Sequence, residues 1–159
     1  MQDGWLYAAA KLPKAGVLMR MQPDGSGMNE VLDVAGGEIT DLAFAPDGTL
    51  WMTTIEADGG KLCRVSNDQW GVTVEPVVTQ IDGKALSCPA AVAVGADGKV
   101  YFTNAADVSV KYGLESALRT ELLAHTATGW VYVYDPVTRA VERVLGGVAG
   151  ASGLALSAD

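Results

Sequence analysis

Five polar residues stand where ligand chemistry could occur: Thr40, Glu56, Asn104, Asp107 and Ser152. Glu56 and Asp107 are carboxylates able to attract a cation or an amine, although loop carboxylates are also common as solvated surface charge. Asn104 offers both donor and acceptor atoms and is the best candidate for a ligand-facing polar group. Thr40 and Ser152 carry hydroxyls, which at strand ends more often bond to backbone than act on a substrate. His125, the one histidine, reads as an exposed helix-end residue meeting terminal carbonyls rather than as a general base. No spacing pairs a Ser or Cys with it, so covalent catalysis has no support beyond composition. Cys63 and Cys88 lack metal-ligand spacing and read as buried or partly buried thiols.

These candidates take their places from an internal repeat. Ile39-Thr40-Asp41-Leu42-Ala43-Phe44-Ala45-Pro46-Asp47-Gly48-Thr49-Leu50-Trp51-Met52-Thr53-Thr54 is one copy. Pro89-Ala90-Ala91-Val92-Ala93-Val94-Gly95-Ala96-Asp97-Gly98-Lys99-Val100-Tyr101-Phe102-Thr103-Asn104 is a second. Ala151–Asp159 is the front half of a third, and Asp3–Ala10 is the back half of one without a front. Each copy is a small-residue apolar strand, an Asp-Gly turn and an aromatic-rich strand, the strongest short-range hairpin pattern. Two further strand-like runs follow each copy: 16–21 and 30–34, 61–65 and 71–78, 129–134 and 140–145. Four strands per repeat of about 40–50 residues is the blade of a β-propeller.

Asp47, Asp97 and Asp159 stand 50 and 62 residues apart, and the longer interval contains a period near 3.6 instead of 2. Leu114, Leu118 and Leu122 fall at helical spacing, which predicts one inserted helix over 112–124 with that stripe against the blades. Tyr112 and His125 flank it, so the insert could act as a lid. The fold class is therefore all-β: three propeller blades, offset by one strand, with one helix. Blade one covers 3–35 and lacks its innermost strand, blade two covers 38–79, blade three covers 89–146, and 151–159 is the innermost strand of the next. Closed propellers use about four to eight blades, and open edges invite pairing with another chain. Two copies related by a two-fold axis would close six blades, with Gly153–Ser157 of each beside Trp5–Ala10 of the other. Half of a longer chain would show the same pattern.

In propellers the start of each innermost strand lines one mouth of the central channel. Repeat alignment places Thr40, Ala90 and Ser152 there, with Asp41 and Cys88 nearby. The loops after the aromatic-rich strands add Glu56, Asn104 and Asp107.

The order of these segments resembles the strictosidine-synthase-like proteins. The resemblance rests on Val100-Tyr101-Phe102-Thr103-Asn104, the helix with Leu122-Leu123, Thr128-Gly129-Trp130-Val131-Tyr132-Val133-Tyr134-Asp135-Pro136-Val137-Thr138 and Ser152-Gly153-Leu154-Ala155-Leu156-Ser157. That group is similar to a wider six-bladed superfamily with senescence-marker-protein gluconolactonases and paraoxonases, and the likeness covers about the N-terminal half of a member. The lactonase relatives imply a divalent cation, usually calcium, held by a Glu of the first innermost strand and by later Asn or Asp residues. That first strand has no counterpart here, and the later positions fall on Ala90 and Ser152, which are poor oxygen donors. The Glu used by strictosidine synthase belongs to later blades, so its condensing activity does not carry over.

Composition narrows the field from another side. The 159 residues carry 11 Lys and Arg against 19 Asp and Glu, a net charge of −8. Such a balance excludes non-specific nucleic-acid and anionic-membrane binding, which need a basic surface. With 49% hydrophobic residues the chain can bury a core, yet no apolar run reaches the ~20 residues of a spanning helix. Met1-Gln2-Asp3-Gly4 has no signal-peptide pattern, which makes a soluble cytoplasmic protein the default. The expected function is a propeller half that assembles through its edges and binds a small molecule at the channel. The alternative is a metal-dependent lactone or ester hydrolase, in which a metal-polarised carbonyl is attacked by water.

Overall fold

In the computed structural model, which describes residues 4–68, 71–108 and 114–157, the two complete Asp-Gly turns are built alike. The Asp47 carboxylate accepts the Thr49 N–H at 2.9 Å, and Asp97 accepts that of Lys99 at 3.1 Å. Gly48 and Gly98 follow with φ of 88° and 80°, a region that a Cβ disfavours. The hydrogen bonds to Thr49 hold the Asp47 carboxyl below its ordinary pKa. Asp3 of the third such turn lies outside the described residues, as do Tyr112 at the start of the helical insert and Asp159.

Fourteen elements follow in chain order among the described residues. They are β1 (Leu6–Leu12), β2 (Ala15–Met21), β3 (Asn29–Ala35), β4 (Glu38–Phe44), β5 (Leu50–Glu56), β6 (Gly59–Asp68) and β7 (Gly71–Val78). Next come β8 (Gln80–Ile81), β9 (Lys84–Ala85), β10 (Pro89–Val94), β11 (Val100–Asn104), α1 (Leu114–Ala124), β12 (Gly129–Tyr134) and β13 (Val141–Val148). β1-β2-β3 form a three-stranded sheet, while β4-β5-β6-β7 and β10-β11-β12-β13 are four-stranded meanders. Every pairing is antiparallel. The short β8–β9 hairpin between the second and third sheets has no counterpart in the sequence-based expectation.

The sheets stack face to face as successive propeller blades. Leu18, Val34, Ile39, Leu50, Met52, Cys63 and Val65 fill the space between blades one and two. Trp51, Leu62, Val92, Phe102, Tyr132 and Tyr134 belong to the cluster between blades two and three. Each such side chain contributes about 1.5–3 kcal/mol by leaving water. Ring contacts bridge the same gaps, with Tyr7 edge-on to Phe44 and Trp51 edge-on to Tyr134. A Cβ at Gly60 would run into the Pro89 ring, so glycine there permits the close approach of blades two and three.

The helix packs differently from its leucine spacing. Ala117 and Glu121 are its buried residues, with Leu114 and Leu118 half-buried, whereas Leu122 and Leu123 are 63% and 72% exposed. Steps of four residues overshoot a 3.6-residue turn by about 40° each. By Leu122 the stripe has therefore rotated off the face that Ala117 and Glu121 hold. Residues 151–157 follow β13 without forming a strand within the described chain. No helix among the described residues is long and apolar enough to cross a membrane.

Candidate functional site

The strand directions bring Thr40, Glu56, Asn104 and Asp107 to one end of the blades, opposite the Asp-Gly turns. Thr40 lies at the start of β4, Glu56 ends β5, Asn104 ends β11 and Asp107 follows it. Ser152, in the segment after β13, is exposed. Ala90 is buried in the cluster of Ile55, Cys88, Ala105, Ala106 and Ala117 that seats the helix.

Each of the four has local partners. The Thr40 hydroxyl is 2.9 Å from the Pro89 carbonyl and 2.8 Å from the Thr53 hydroxyl. It has one proton, so it donates to the carbonyl and accepts from Thr53. Asp41 beside it accepts the Val92 N–H at 2.9 Å, and the two residues knit the inner strands of blades two and three. Asn104 is 6% exposed. Its oxygen accepts the Cys88 N–H at 2.6 Å, and its amide donates to the Ser87 hydroxyl and the Ala106 carbonyl. Those bonds tie the segment before β10, at Ser87 and Cys88, to the one after β11, at Ala106, leaving the amide little capacity for a ligand.

The two carboxylates are neutralised by lysines. Glu56 accepts from Lys61 Nζ at 2.8 Å and from the Thr54 hydroxyl at 3.0 Å. Asp58 pairs with the same ammonium at 3.1 Å. The Glu56 hydrogen bond, aided by Asp58, raises the Lys61 pKa despite its partial burial. Asp107 pairs with Lys84 of the β8–β9 hairpin. A cation arriving here must compete with both ammonium groups. Asn104, Asp107, Lys84, Asp82, Trp130 and Arg143 line a cleft of about 220 Å³, with Arg143 paired to Asp82 and lying over the Trp130 ring. A larger cleft of about 560 Å³ lies at the opposite end between blades one and two, lined among others by Tyr7, Phe44, Asp47 and Arg64.

Glu121 is the polar residue whose role sequence reasoning missed. It is fully buried and accepts the Thr128 N–H at 2.6 Å and the Thr126 and Thr128 hydroxyls at 2.8 Å each. Burial alone would raise its pKa, but these three donors outweigh it and hold the carboxyl below the ordinary range. The Thr128 hydroxyl also accepts the Asp107 N–H at 2.9 Å, so Glu121 fastens the helix to β12 and to the loop bearing Asp107. A carboxylate in the last turn of a helix runs against the helix dipole, and that misfit was the available signal. His125 caps the same end, exposed and with φ of 52°, its N–H bonded to Leu122 and that of Thr126 to Glu121. This is the Schellman arrangement of a helix C-terminus.

Cys63 and Cys88 are free, buried thiols. Burial pushes their pKa values up to about 11 and about 12 respectively, which leaves them protonated and poorly nucleophilic. Among the described residues no group of three or more His, Cys, Asp or Glu stands close enough to hold a metal ion. Ala90 has no side-chain oxygen, so the donors of this chain do not fit a calcium site of the lactonase kind.

Comparison with known proteins agrees with this architecture. The family model for strictosidine synthase matches residues 90–159, and no curated protein matches the sequence. TolB from Acinetobacter baumannii is similar over 91% of this chain and 30% of its own, at 14% identity and a TM-score of 0.58. A gluconolactonase from Xanthomonas campestris is similar over 83% of this chain and 43% of its own, at 19% identity and a TM-score of 0.57. A puromycin hydrolase variant is similar over 91% and 21%, at 14% identity and a TM-score of 0.54. The chain thus spans less than half the length of each, and at such identities the likeness speaks for fold alone. With the family match in its second half and blade-like sheets throughout the described residues, the chain has a β-propeller fold and resembles strictosidine synthase over residues 90–159.

Proposed function

We propose that this chain is part of a propeller that assembles through its open strand edges and binds a small molecule at the end where Thr40, Glu56, Asn104 and Asp107 collect. The observation that carries the reading is β1, which among the described residues has a strand partner on one side only and whose residues Leu6–Leu12 are exposed apart from the half-buried Tyr7. Strand edges that lack a second neighbouring strand are templates for another strand, and residues 151–157 have no strand partner among the described residues. Light scattering at micromolar concentration tests the assembly, with a dimer expected and a stable monomer refuting it.

The lysine–carboxylate pairs present both signs of charge at the ligand end. They favour a polar neutral or zwitterionic molecule over a bare cation. The likeness to a gluconolactonase fold supports a second reading, lactone or ester hydrolysis, whose metal donors would have to come in part from a second chain. δ-Gluconolactone with and without calcium separates the two readings. Binding alone gives a saturable rise in unfolding temperature with base consumption no faster than the spontaneous opening of the lactone, whereas metal-dependent acid release above that protein-free rate establishes the hydrolase.

A further inference from the structure

We propose that the cleft of about 220 Å³ between the β8–β9 hairpin and blade three is a site for a small zwitterion, an amino acid whose carboxylate takes Arg143 and whose ammonium takes Asp107. In the structure the hairpin's own Asp82 and Lys84 hold those two places. The inference rests on the small-molecule reading above and gives that molecule its charges and its place.

Blade three fixes one cation and one anion at the cleft. Arg143 stands opposite Tyr132 in the β12–β13 register, and its guanidinium lies 5.0 Å from the centre of the Trp130 ring, a cation–π distance. Trp130 faces Gly146, where a Cβ would collide with the indole, so glycine there lets the ring lie close against β13. Asp107 is anchored through its backbone. Its N–H donates to the Thr128 hydroxyl, which in turn donates to the buried Glu121. Both groups are therefore positioned before any ligand arrives.

Their present partners are of another kind. Asp82 and Lys84 stand two residues apart on the hairpin, around a tight turn in which Asp82 and Gly83 have φ of 52° and 76°. Their side chains are 70% and 68% exposed, against 51% for Arg143 and 34% for Asp107. Ion pairs as exposed as these contribute only about 0–1 kcal/mol, so exchange for another ion costs little. The base of the hairpin is held separately, by the Leu86 N–H to the Thr79 carbonyl and the Gly60 N–H to the Leu86 carbonyl. Both charged side chains can thus swing into water while the hairpin stays in place.

The hairpin presents an anion and a cation on one short segment to a fixed cation and a fixed anion, which is the charge pattern of an amino acid. A ligand zwitterion replaces both side chains at once, whereas an ion of single charge replaces one and leaves the other pair closed. The guanidinium fork suits a carboxylate bidentately, and Ile81 and Trp130 line the cleft beside a ligand's carbon chain. Drug-sized ligands occupy about 300–1,000 Å³, so this cleft admits only a compact molecule.

The test is isothermal titration calorimetry of the intact protein with an unbranched series: glycine, β-alanine, γ-aminobutyric acid and ε-aminocaproic acid. One member should bind saturably, and about tenfold more tightly than the simple acid and the simple amine of its own chain length, each of which lacks one charge-assisted contact. Arg143→Gln should weaken that binding by about tenfold, and Arg143→Lys, which keeps the charge and loses the fork, by less. Asp82→Asn and Lys84→Gln should each tighten it, by up to about fivefold, because each removes a competing charge. Weaker binding in both hairpin variants refutes displacement and with it the site. If the series binds and Arg143→Gln leaves its affinity unchanged, the cleft is overturned and the small-molecule reading stands. If no member binds while δ-gluconolactone does, the zwitterion is overturned and that reading again stands; if neither binds, both fall.

Discussion

β1 and β5 occupy the same place in the repeat and meet opposite fates. Leu50–Ile55 of β5 is wholly buried, whereas β1 is exposed along almost its entire length. The two strands are similar in apolar character, and both pair on their outer side with the next strand of their sheet. What differs is the inner strand, β4, and a preceding blade, both present for β5 and without a counterpart for β1 among the described residues. Burial in a propeller is thus a property of neighbours more than of the strand itself, and the energetic weight of a residue follows the same rule.

Removal of Gly153–Asp159 should break the comparison most severely. If that segment completes blade one, light scattering will show the assembly lost entirely, and retention of a dimer refutes the exchange. Met52→Ala, at a position with no exposed surface, should cost about 2–5 kcal/mol in urea unfolding. A cost close to zero would mean that the interface between blades one and two contributes little.

Glu121→Ala should cost on the order of 2 kcal/mol by leaving the Thr128 N–H and two hydroxyls without their acceptor. The carboxyl is held below its ordinary value of 4.5, so its stabilisation is fully present above that pH and lost as pH falls through the folded-state pKa. The wild type should therefore lose part of its advantage over Glu121→Gln as acid is added, measured by thermal unfolding. An unchanged difference between the two proteins across that range refutes the ionised role.

Leu6→Ala sharpens the contrast at the small end. In dilute, unassembled protein it should change stability by no more than about 0.5 kcal/mol, and by more once the concentration supports assembly. An equal effect at both concentrations would show that Leu6 is packed within its own chain. Smallest of all, Cys63 and Cys88 should stay unmodified by a thiol reagent at pH 8 until the protein unfolds.

The blades were legible because two local signals coincide in them, the Asp-Gly turns and the alternation of apolar residues. Those signals act over a few residues, and the observed turns at Asp47-Gly48 and Asp97-Gly98 have the geometry they demand. The β8–β9 hairpin was not legible, since its strands are two residues each and carry no periodicity. The candidate site was legible only as a location. Asn104, Glu56 and Asp107 do reach the same end of the sheets, but their partners Ser87, Lys61 and Lys84 come from other strands and loops. The helix stripe misled for a related reason, because leucine spacing ignores how far each step rotates and which residue the adjoining loop can satisfy.

By itself, then, the sequence determined the repeat, the strands, the turn chemistry and the inserted helix, all governed by interactions between residues close along the chain. Which faces are covered was decided by tertiary structure alone. It buried Glu121 and Asn104 as structural acceptors and donors, neutralised the two carboxylates with lysines, and gave β1 a strand partner on one side only among the described residues. The reason is that burial and hydrogen-bond satisfaction depend on what arrives from distant parts of the chain, or from another one.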